Sequence, residues 1–363
     1  MPDNATRNLT KSEIQSFLKS GLIIGLGPTK CLVAWGDFKK STKPSGDGMQ
    51  FFVPDFYLEE QKPWLFFAHT VVTDRQALLV ELEAEAQPPK LELKWKQPKF
   101  QDFKSKFELI QKEIKKGELR KAVPVVFERS TGTMTLAMRA SILKSLLKNA
   151  IKPNPYGFWT PEEGVMGATP EILFTYNARN NELETMALAG TRTSEREKKD
   201  TLANDPKEMF EHDLVIQGLK EKLTKLGELQ VSPTYVWDLG MISHLRTDMS
   251  VELKLKLSPE KIFTEMCALL HPTAALGVAP NKADWRFLKT CDGAEQRGHF
   301  GAPFGVLSPN GKSIVLVAIR NIQWHEDQLT VGTGCGVVAQ SELPNEWQEL
   351  EVKRQAVHAL LEL

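Results

Sequence analysis

Two acidic pairs stand far apart in the chain at the same spacing: Glu208 and Glu211 within Asp205-Pro-Lys-Glu-Met-Phe-Glu-His212, and Glu346 and Glu349 within Glu346-Trp-Gln-Glu349. On a helix an i, i+3 spacing puts both carboxylates on one face. If the two helices face each other, four carboxylates converge, and their repulsion is relieved by a hard divalent cation among them, most simply Mg²⁺. Glu-x-x-Glu is also common on solvated helix faces, and acidic residues in a first turn are favoured by the helix dipole alone. The neighbouring motifs decide between these readings.

Two further features invite chemistry. Gly332-Thr-Gly-Cys-Gly336 follows a strand and could present backbone N–H groups to an anion. It lacks the Gly-Lys-Ser/Thr ending of a phosphate loop and the third glycine of a dinucleotide fingerprint. Arg320 closes the apolar run Val315-Leu-Val-Ala-Ile319, where it is either a snorkelling surface residue or an anion clamp on a rigid element. A hairpin over this region would carry Arg320 and the glycine loop at its two ends, which favours the clamp. No His-Glu-x-x-His, Gly-x-Ser-x-Gly or kinase-type set occurs, so zinc-hydrolase and serine-nucleophile chemistry have no foothold.

The elements that must position these residues are legible in outline. Thr10-x-x-Glu13 is a capping box for a short helix through Ile14, Phe17 and Leu18, stopped by Gly21. Apolar runs over 21–27, 31–35, 64–68 and 77–82, separated by turn-rich stretches, predict a β-meander in the first ninety or so residues. The polar stretch Gln87-Pro-Pro-Lys90 marks a subdomain boundary, after which Phe100, Phe103, Phe107, Ile110 and Ile114 recur at helical spacing up to Gly117. Strands over 119–127, 157–159, 172–176 and 183–188 alternate with helices, one over 136–147. Asn204-Asp205-Pro206 caps the helix of the first acidic pair, which continues through Met209, Ile216, Leu219 and Leu223. Ser258-Pro259 opens a helix to Leu270, residues 282–289 form a short one, and strands over 301–307, 314–322 and 329–331 precede a C-terminal helix from about Pro344. Without strict βαβ alternation, the expectation is an α+β protein on a large antiparallel sheet with helices packed outside.

Composition narrows the partners. The 363 residues are 41% hydrophobic and 25% charged, ample for a large core, and 46 basic residues balance 46 acidic ones. No charged block suggests a nucleic-acid groove or an anionic membrane surface, so the expected partner is a small molecule. The four cysteines, Cys31, Cys267, Cys291 and Cys335, form no Cys-x-x-Cys pair, which fits a reducing cytoplasm better than a zinc site or disulfide framework. The N-terminus has no apolar leader region and no segment reaches membrane-span length, so a soluble, cytoplasmic protein is expected.

Met186-Ala-Leu-Ala-Gly-Thr-Arg192, Asp205 to His212, His244-Leu-Arg-Thr247, Leu270-His-Pro-Thr273, Arg297-Gly-His-Phe-Gly301, Val317-Ala-Ile-Arg320, Gly334-Cys-Gly-Val-Val338 and Glu346-Trp-Gln-Glu349-x-x-x-Lys353 occur in this order. The ordered set closely resembles the chorismate-utilising enzymes: the isochorismate, salicylate, anthranilate and aminodeoxychorismate synthases. It covers roughly Phe100 to the C-terminus. The resemblance implies one catalytic domain over 1–363, with a variable β-rich part over 1–95 and a motif-bearing core over 98–363.

By the same resemblance, Glu208, Glu211, Glu346 and Glu349 are the Mg²⁺ cluster, with Glu211 and Glu349 as the expected direct ligands. Arg320 and the backbone of Gly334, Cys335 and Gly336 would clamp a substrate carboxylate. Ala189, Gly190, Thr191, His271, Thr273 and Lys353 are also implied to contact substrate. In the branch that adds water at C2 of chorismate, a strand lysine activates the water and a glutamate protonates the departing C4 hydroxyl; Lys121 and Glu171 stand at these places. Such a lysine needs a lowered pKa and such a glutamate a raised one. Anthranilate synthases typically carry glutamine where Lys121 stands, and aminodeoxychorismate synthases often carry lysine where Ala189 stands, so water is the expected nucleophile and no glutamine amidotransferase partner is expected. The rivals are a salicylate synthase, an amine-adding synthase and a catalytically degenerate chorismate-binding protein. The route served, menaquinone or siderophore synthesis, is left open. Two departures touch the pocket: Ala274 replaces the proline of the usual Leu-His-Pro-Thr-Pro-Ala, and Gly293 stands where a glutamate is usual, with Asp292 and Glu295 nearby.

Overall fold

Thr10 opens the chain's first helix, α1 (Lys11–Lys19), as its capping box requires: its hydroxyl accepts from the Glu13 N–H while the Glu13 carboxylate accepts from the Thr10 N–H at 2.8 Å. This is seen in a computed structural model, which describes residues 6–85, 93–149, 152–193, 201–293 and 296–363. The predicted boundary Gln87 to Lys90, and Glu295, lie outside the described residues.

Four strands follow, β1 (Gly21–Gly25), β2 (Lys30–Ser41), β3 (Gln50–Phe52) and β4 (Trp64–Asp74). The strand predicted over 77–82 is instead a helix, α2 (Arg75–Glu85). Asp74 accepts from the N–H groups of Gln76 and Ala77 at 2.9 and 3.0 Å, an N-cap that a strand reading overlooks. Leu78, Leu79 and Leu82 then share one buried face while Val80 points to solvent, a period near 3.6 rather than 2.

The predicted helix over 100–117 is α3 (Phe100–Lys115). The single strand expected over 119–127 is two, β5 (Lys121–Ala122) and β6 (Val125–Thr131), because Pro124 has no N–H to give a ladder. The chain continues through α4 (Leu136–Asn149), β7 (Asn154–Trp159), β8 (Glu163–Thr169), β9 (Ile172–Asn177), β10 (Glu182–Thr193), α5 (Pro206–Leu223), β11 (Gly227–Val231), β12 (Tyr235–Asp238) and β13 (Ile242–Leu253). After α6 (Pro259–Leu270) and β14 (Val278–Ala279), the short helix expected over 282–289 is displaced to α7 (Phe287–Asp292). β15 (Pro303–Leu307) is followed by a break in the strand predicted over 314–322: β16 (Lys312–Val317) and β17 (Asn321–His325) are separated by a turn at Arg320. β18 (Gln328–Gly334), β19 (Val337–Val338) and α8 (Leu343–Leu361) complete the chain.

Among the described residues sixteen of the strands pair antiparallel in one sheet, ordered β11-β13-β10-β9-β16-β15-β3-β4-β2-β1-β7-β8-β17-β18-β6 with β12 beside β13. Tyr156 of β7 nevertheless meets Phe304 of β15 at 5.1 Å between ring centroids, although four strands lie between them in the ladder. A flat sheet would hold them more than ~20 Å apart, so the sheet curls over itself and encloses an apolar layer that includes Leu22, Ile24, Phe51 and Phe158. Ile23 and Val33 face the other way, against α1, α2 and α4. This is the expected α+β architecture with helices outside. Among the described residues no helix is long and apolar enough to cross a membrane.

Candidate active site

A second, three-stranded sheet positions Lys121. β5 lies between β14 and β19, with Lys121 opposite Ala279 on one side and Val338 on the other. Its side chain is wholly buried, and its ammonium lies 3.0 Å from Glu211 Oε1 on α5. Gly336, just before β19, lets the two meet: a Cβ there would stand 2.1 Å from Glu211 Oε1 and 2.7 Å from Lys121 Cε.

Glu211 of this ion pair lines a cavity together with Glu171, Ala189, Gly190, Thr191, Arg320, Gly334, Cys335, Gly336 and Lys353, while Lys121 lies outside that lining. The structure thus brings together most of the residues singled out in the sequence. Gly190 is the bulge of β10, with φ +72°, where the pairing with β13 slips between Ala189 and Thr191. The bulge frees the Thr191 N–H to donate to Glu208 Oε2 at 2.8 Å and turns the Gly190 carbonyl toward His244. β17 and β18 form the expected hairpin, and Arg320 and the glycine loop meet at its open end. Lys353 donates to the Gly334 carbonyl at 2.9 Å and pairs with Glu349 at 2.7 Å.

His244, Val123, Phe300 and Ile319 also line the cavity. His244 stood in a quoted motif without an assigned role. Burial, reinforced by Arg320 and Lys353, pushes its pKa well below the ordinary imidazole value. The ring is therefore neutral near pH 7, and its partners assign the tautomer: Nδ1–H donates to Gly190 O at 3.1 Å, leaving Nε2 to accept from Arg320 at 2.9 Å. Arg320 itself pairs with no carboxylate among the described residues, and burial lowers its pKa to about 10. A partly buried guanidinium with only a neutral partner is suited to receive an anion.

Glu171 follows β8, its N–H donating to Thr169 Oγ1 at 3.1 Å. Burial raises its carboxyl to about 7, against the opposing influence of Lys121, Lys353 and a hydrogen bond with Thr273. Thr273 therefore stands behind Glu171 rather than in the cavity lining. His271 does not line the cavity either; its Nε2 bonds the Phe56 carbonyl at 2.7 Å.

The four carboxylates do converge, as the matched spacing suggests, with Glu208, Glu346 and Glu349 lining an adjoining cavity. Both pairs lie near helix N-termini, and Asp205 caps α5 by accepting from Lys207 and Glu208 N–H. At their centre stands Lys207. Among the described residues no three acidic, histidine or cysteine side chains are gathered closely enough to hold a metal as they stand. The donor set is nonetheless that of a hard cation: Glu346 Oε2 is buried without a hydrogen-bond partner, and burial with neighbouring charge raises Glu208 (beside Glu211) and Glu346 (beside Glu349) to about 7. Burial works against Glu211 too, but Lys121 and Lys207 outweigh it and hold its pKa below the ordinary value.

Beside Gly293 stands the buried Asp292. Arg297, fully buried, donates to both Asp292 oxygens, at 2.6 Å from Nε and 3.2 Å from a terminal nitrogen, and to the carbonyls of Val123 and Leu276 in the cavity wall. Tyr57 adds a 2.5 Å bond to Asp292. Asp292→Ala strands a buried guanidinium and is expected to cost about 3 kcal/mol of stability, read as a lower denaturant midpoint at unchanged slope. Ala274, at the other departure, is buried, and Ala275 lines the cavity.

A family model described as chorismate binding enzyme matches residues 34–359. The chain is 30% identical over 219 residues to anthranilate synthase component 1 of Neisseria meningitidis serogroup B, covering 57% of this chain and 43% of that protein. It is 32% identical over 222 residues to isochorismate synthase EntC of Escherichia coli, covering 57% of this chain and 55% of that protein. The matched stretch thus spans about half the length of these curated relatives. The fold superposes on that of a 2,3-dihydroxybenzoate-specific isochorismate synthase of Bacillus anthracis with a TM-score of 0.80 at 20% identity, over 98% of this chain and 100% of that one.

Proposed function

This chain belongs to the chorismate binding enzyme family, and from that premise we propose that it is a Mg²⁺-dependent isochorismate synthase. The observation that carries the reading is a glutamate raised to about 7 in the same cavity as an arginine with no carboxylate partner among the described residues. Near neutral pH such a glutamate is protonated in a substantial fraction of molecules, as a general acid must be. Arg320, with N–H groups of the Gly334 to Gly336 loop, receives one carboxylate of chorismate. Mg²⁺, held by Glu211 and Glu349 with Glu208 and Glu346 around them, would supply positive charge for the other.

In this reading Lys121, in its uncharged form, takes a proton from the water that attacks C2, the ring double bonds shift, and the C4–O bond breaks as Glu171 gives its proton to the departing hydroxyl. Water is consumed and water released, so the net change is an isomerisation. Ala189 contributes only a methyl group to the cavity wall, which leaves no amine there to compete. No fixed partner subunit is needed for this chemistry.

The test is purified protein with chorismate and Mg²⁺, with and without ammonium, the products resolved by chromatography. Isochorismate alone supports the reading, whereas salicylate with pyruvate selects a lyase. Anthranilate formed only with ammonium would sink the water reading, and absence of turnover would leave a chorismate-binding protein. Gly336→Ala supplies a geometric check: its methyl group forces Glu211 and Lys121 apart while the backbone can accept alanine, so kcat/KM should drop about a hundredfold and the melting temperature should fall as the buried ion pair parts.

A further inference from the structure

Lys207 lies where an ion would have to sit. Its Nζ is 3.0 Å from Glu346 Oε1, 3.1 Å from Glu208 Oε1 and 3.6 Å from Glu211 Oε2, so one ammonium ties the two acidic helices together. A lysine in the first turn of α5 is unfavourable toward the positive end of the helix dipole, and the carboxylates supply the reason for it.

Charge and access separate Lys207 from the other lysines here. Glu208, Glu211, Glu346 and Glu349 face the ammonium groups of Lys121, Lys207 and Lys353. A divalent ion added beside Lys207 would bring two cations into contact, whereas a divalent ion in place of Lys207 meets the same carboxylates without that repulsion. Lys121 is fully buried, but the Lys207 side chain is 21% exposed on the rim of the adjoining cavity, with room to swing outward.

Resting on the reading that these carboxylates anchor Mg²⁺, we propose that Lys207 is the resident cation of the metal-free protein, holding the acidic helices together and leaving the cluster when a divalent ion enters. Metal and the inward lysine are then mutually exclusive, and the apparent metal affinity is reduced by the fraction of molecules with Lys207 inside.

The experiment is Mn²⁺ binding to the full chain without substrate, followed by electron paramagnetic resonance, in the wild type, Lys207→Met and Lys207→Gln. Displacement predicts that both variants bind Mn²⁺ tighter by about tenfold or more. Both should also melt lower in chelator and gain more in Tm from Mn²⁺ than the wild type does. A variant that folds only with Mn²⁺ supports the proposal, because the ion then replaces the missing ammonium. Equal or weaker Mn²⁺ affinity in both folded variants overturns it. Failure of the underlying reading looks different: wild-type binding that persists unchanged in Glu211→Gln and Glu346→Gln would put the ion elsewhere and remove premise and proposal together.

Discussion

Lys121→Ala and Glu171→Gln are each expected to reduce isochorismate formation from chorismate by roughly two to four orders of magnitude, the span of a positioned acid or base. Lys121 is fixed by strand pairing on both sides of β5, by complete burial and by Glu211, so nothing else can drift into its place. Glu171 carries a pH signature as well. Its carboxyl is raised by burial to about 7, and the protonated form is the acid, so the contribution of Glu171 to kcat/KM should be full below that value and fall about tenfold per unit above it. Glu171→Gln should abolish this alkaline limb along with the activity. The same shift affects folding in a definite direction: from about 4.5 up to about 7 the folded protein keeps a proton that the unfolded chain has released, so stability at this site declines as pH rises through that window. Product chromatography across pH 5.5 to 9, roughly the range that brackets the shift, measures the kinetic limb. Full turnover in Lys121→Ala would remove the proposed base, and an alkaline limb that persists in residual Glu171→Gln activity would remove the proposed acid.

The sequence exposed the site's parts better than their arrangement. Residues placed by helix caps and turn chemistry were readable: Asp205-Pro206 fixes where Glu208 and Glu211 sit on α5, and the Arg320 and glycine-loop hairpin follows from strand patterning. What the sequence could not show was set by tertiary partners. α2 read as a strand because its apolar run is continuous; only the side chain of Asp74, bonded to two N–H groups, settles it as a helix. The break at Arg320 has no glycine or proline to announce it, since a left-handed residue of this type is tolerated only where surrounding structure imposes it. His244 lies on a strand whose alternation looks like ordinary burial, and its role appears only beside Arg320 and the Gly190 bulge. Lys207 sits one residue before the first acidic pair, and its occupation of the cluster depends on Glu346, 139 positions further along the chain. His271 shows the converse: a histidine in a motif became a buried tie to Phe56.

Arg320→Ala should separate binding from stability. The guanidinium is desolvated and held by a neutral imidazole, an arrangement costly in the free protein and offset only when an anion arrives. Removing it takes away a charge-assisted contact to the substrate carboxylate worth about 2–5 kcal/mol. The expected loss in kcat/KM is therefore roughly thirtyfold to several thousandfold, chiefly through a higher KM. Stability should move the other way or stay level, because a partly buried cation without a carboxylate partner disappears. The backbone sharpens the expectation: Arg320 has φ +55°, so Arg320→Gly also relieves left-handed strain of about 1 kcal/mol and should melt higher than Arg320→Ala at equal loss of activity. Arg320→Lys keeps the charge but not the planar fork, and should recover little. Steady-state kinetics paired with thermal melts on the three variants test this. An unchanged KM in Arg320→Ala would end the carboxylate clamp, and a large drop in melting temperature would mean that Arg320 is a structural residue whose partner is His244 rather than a ligand.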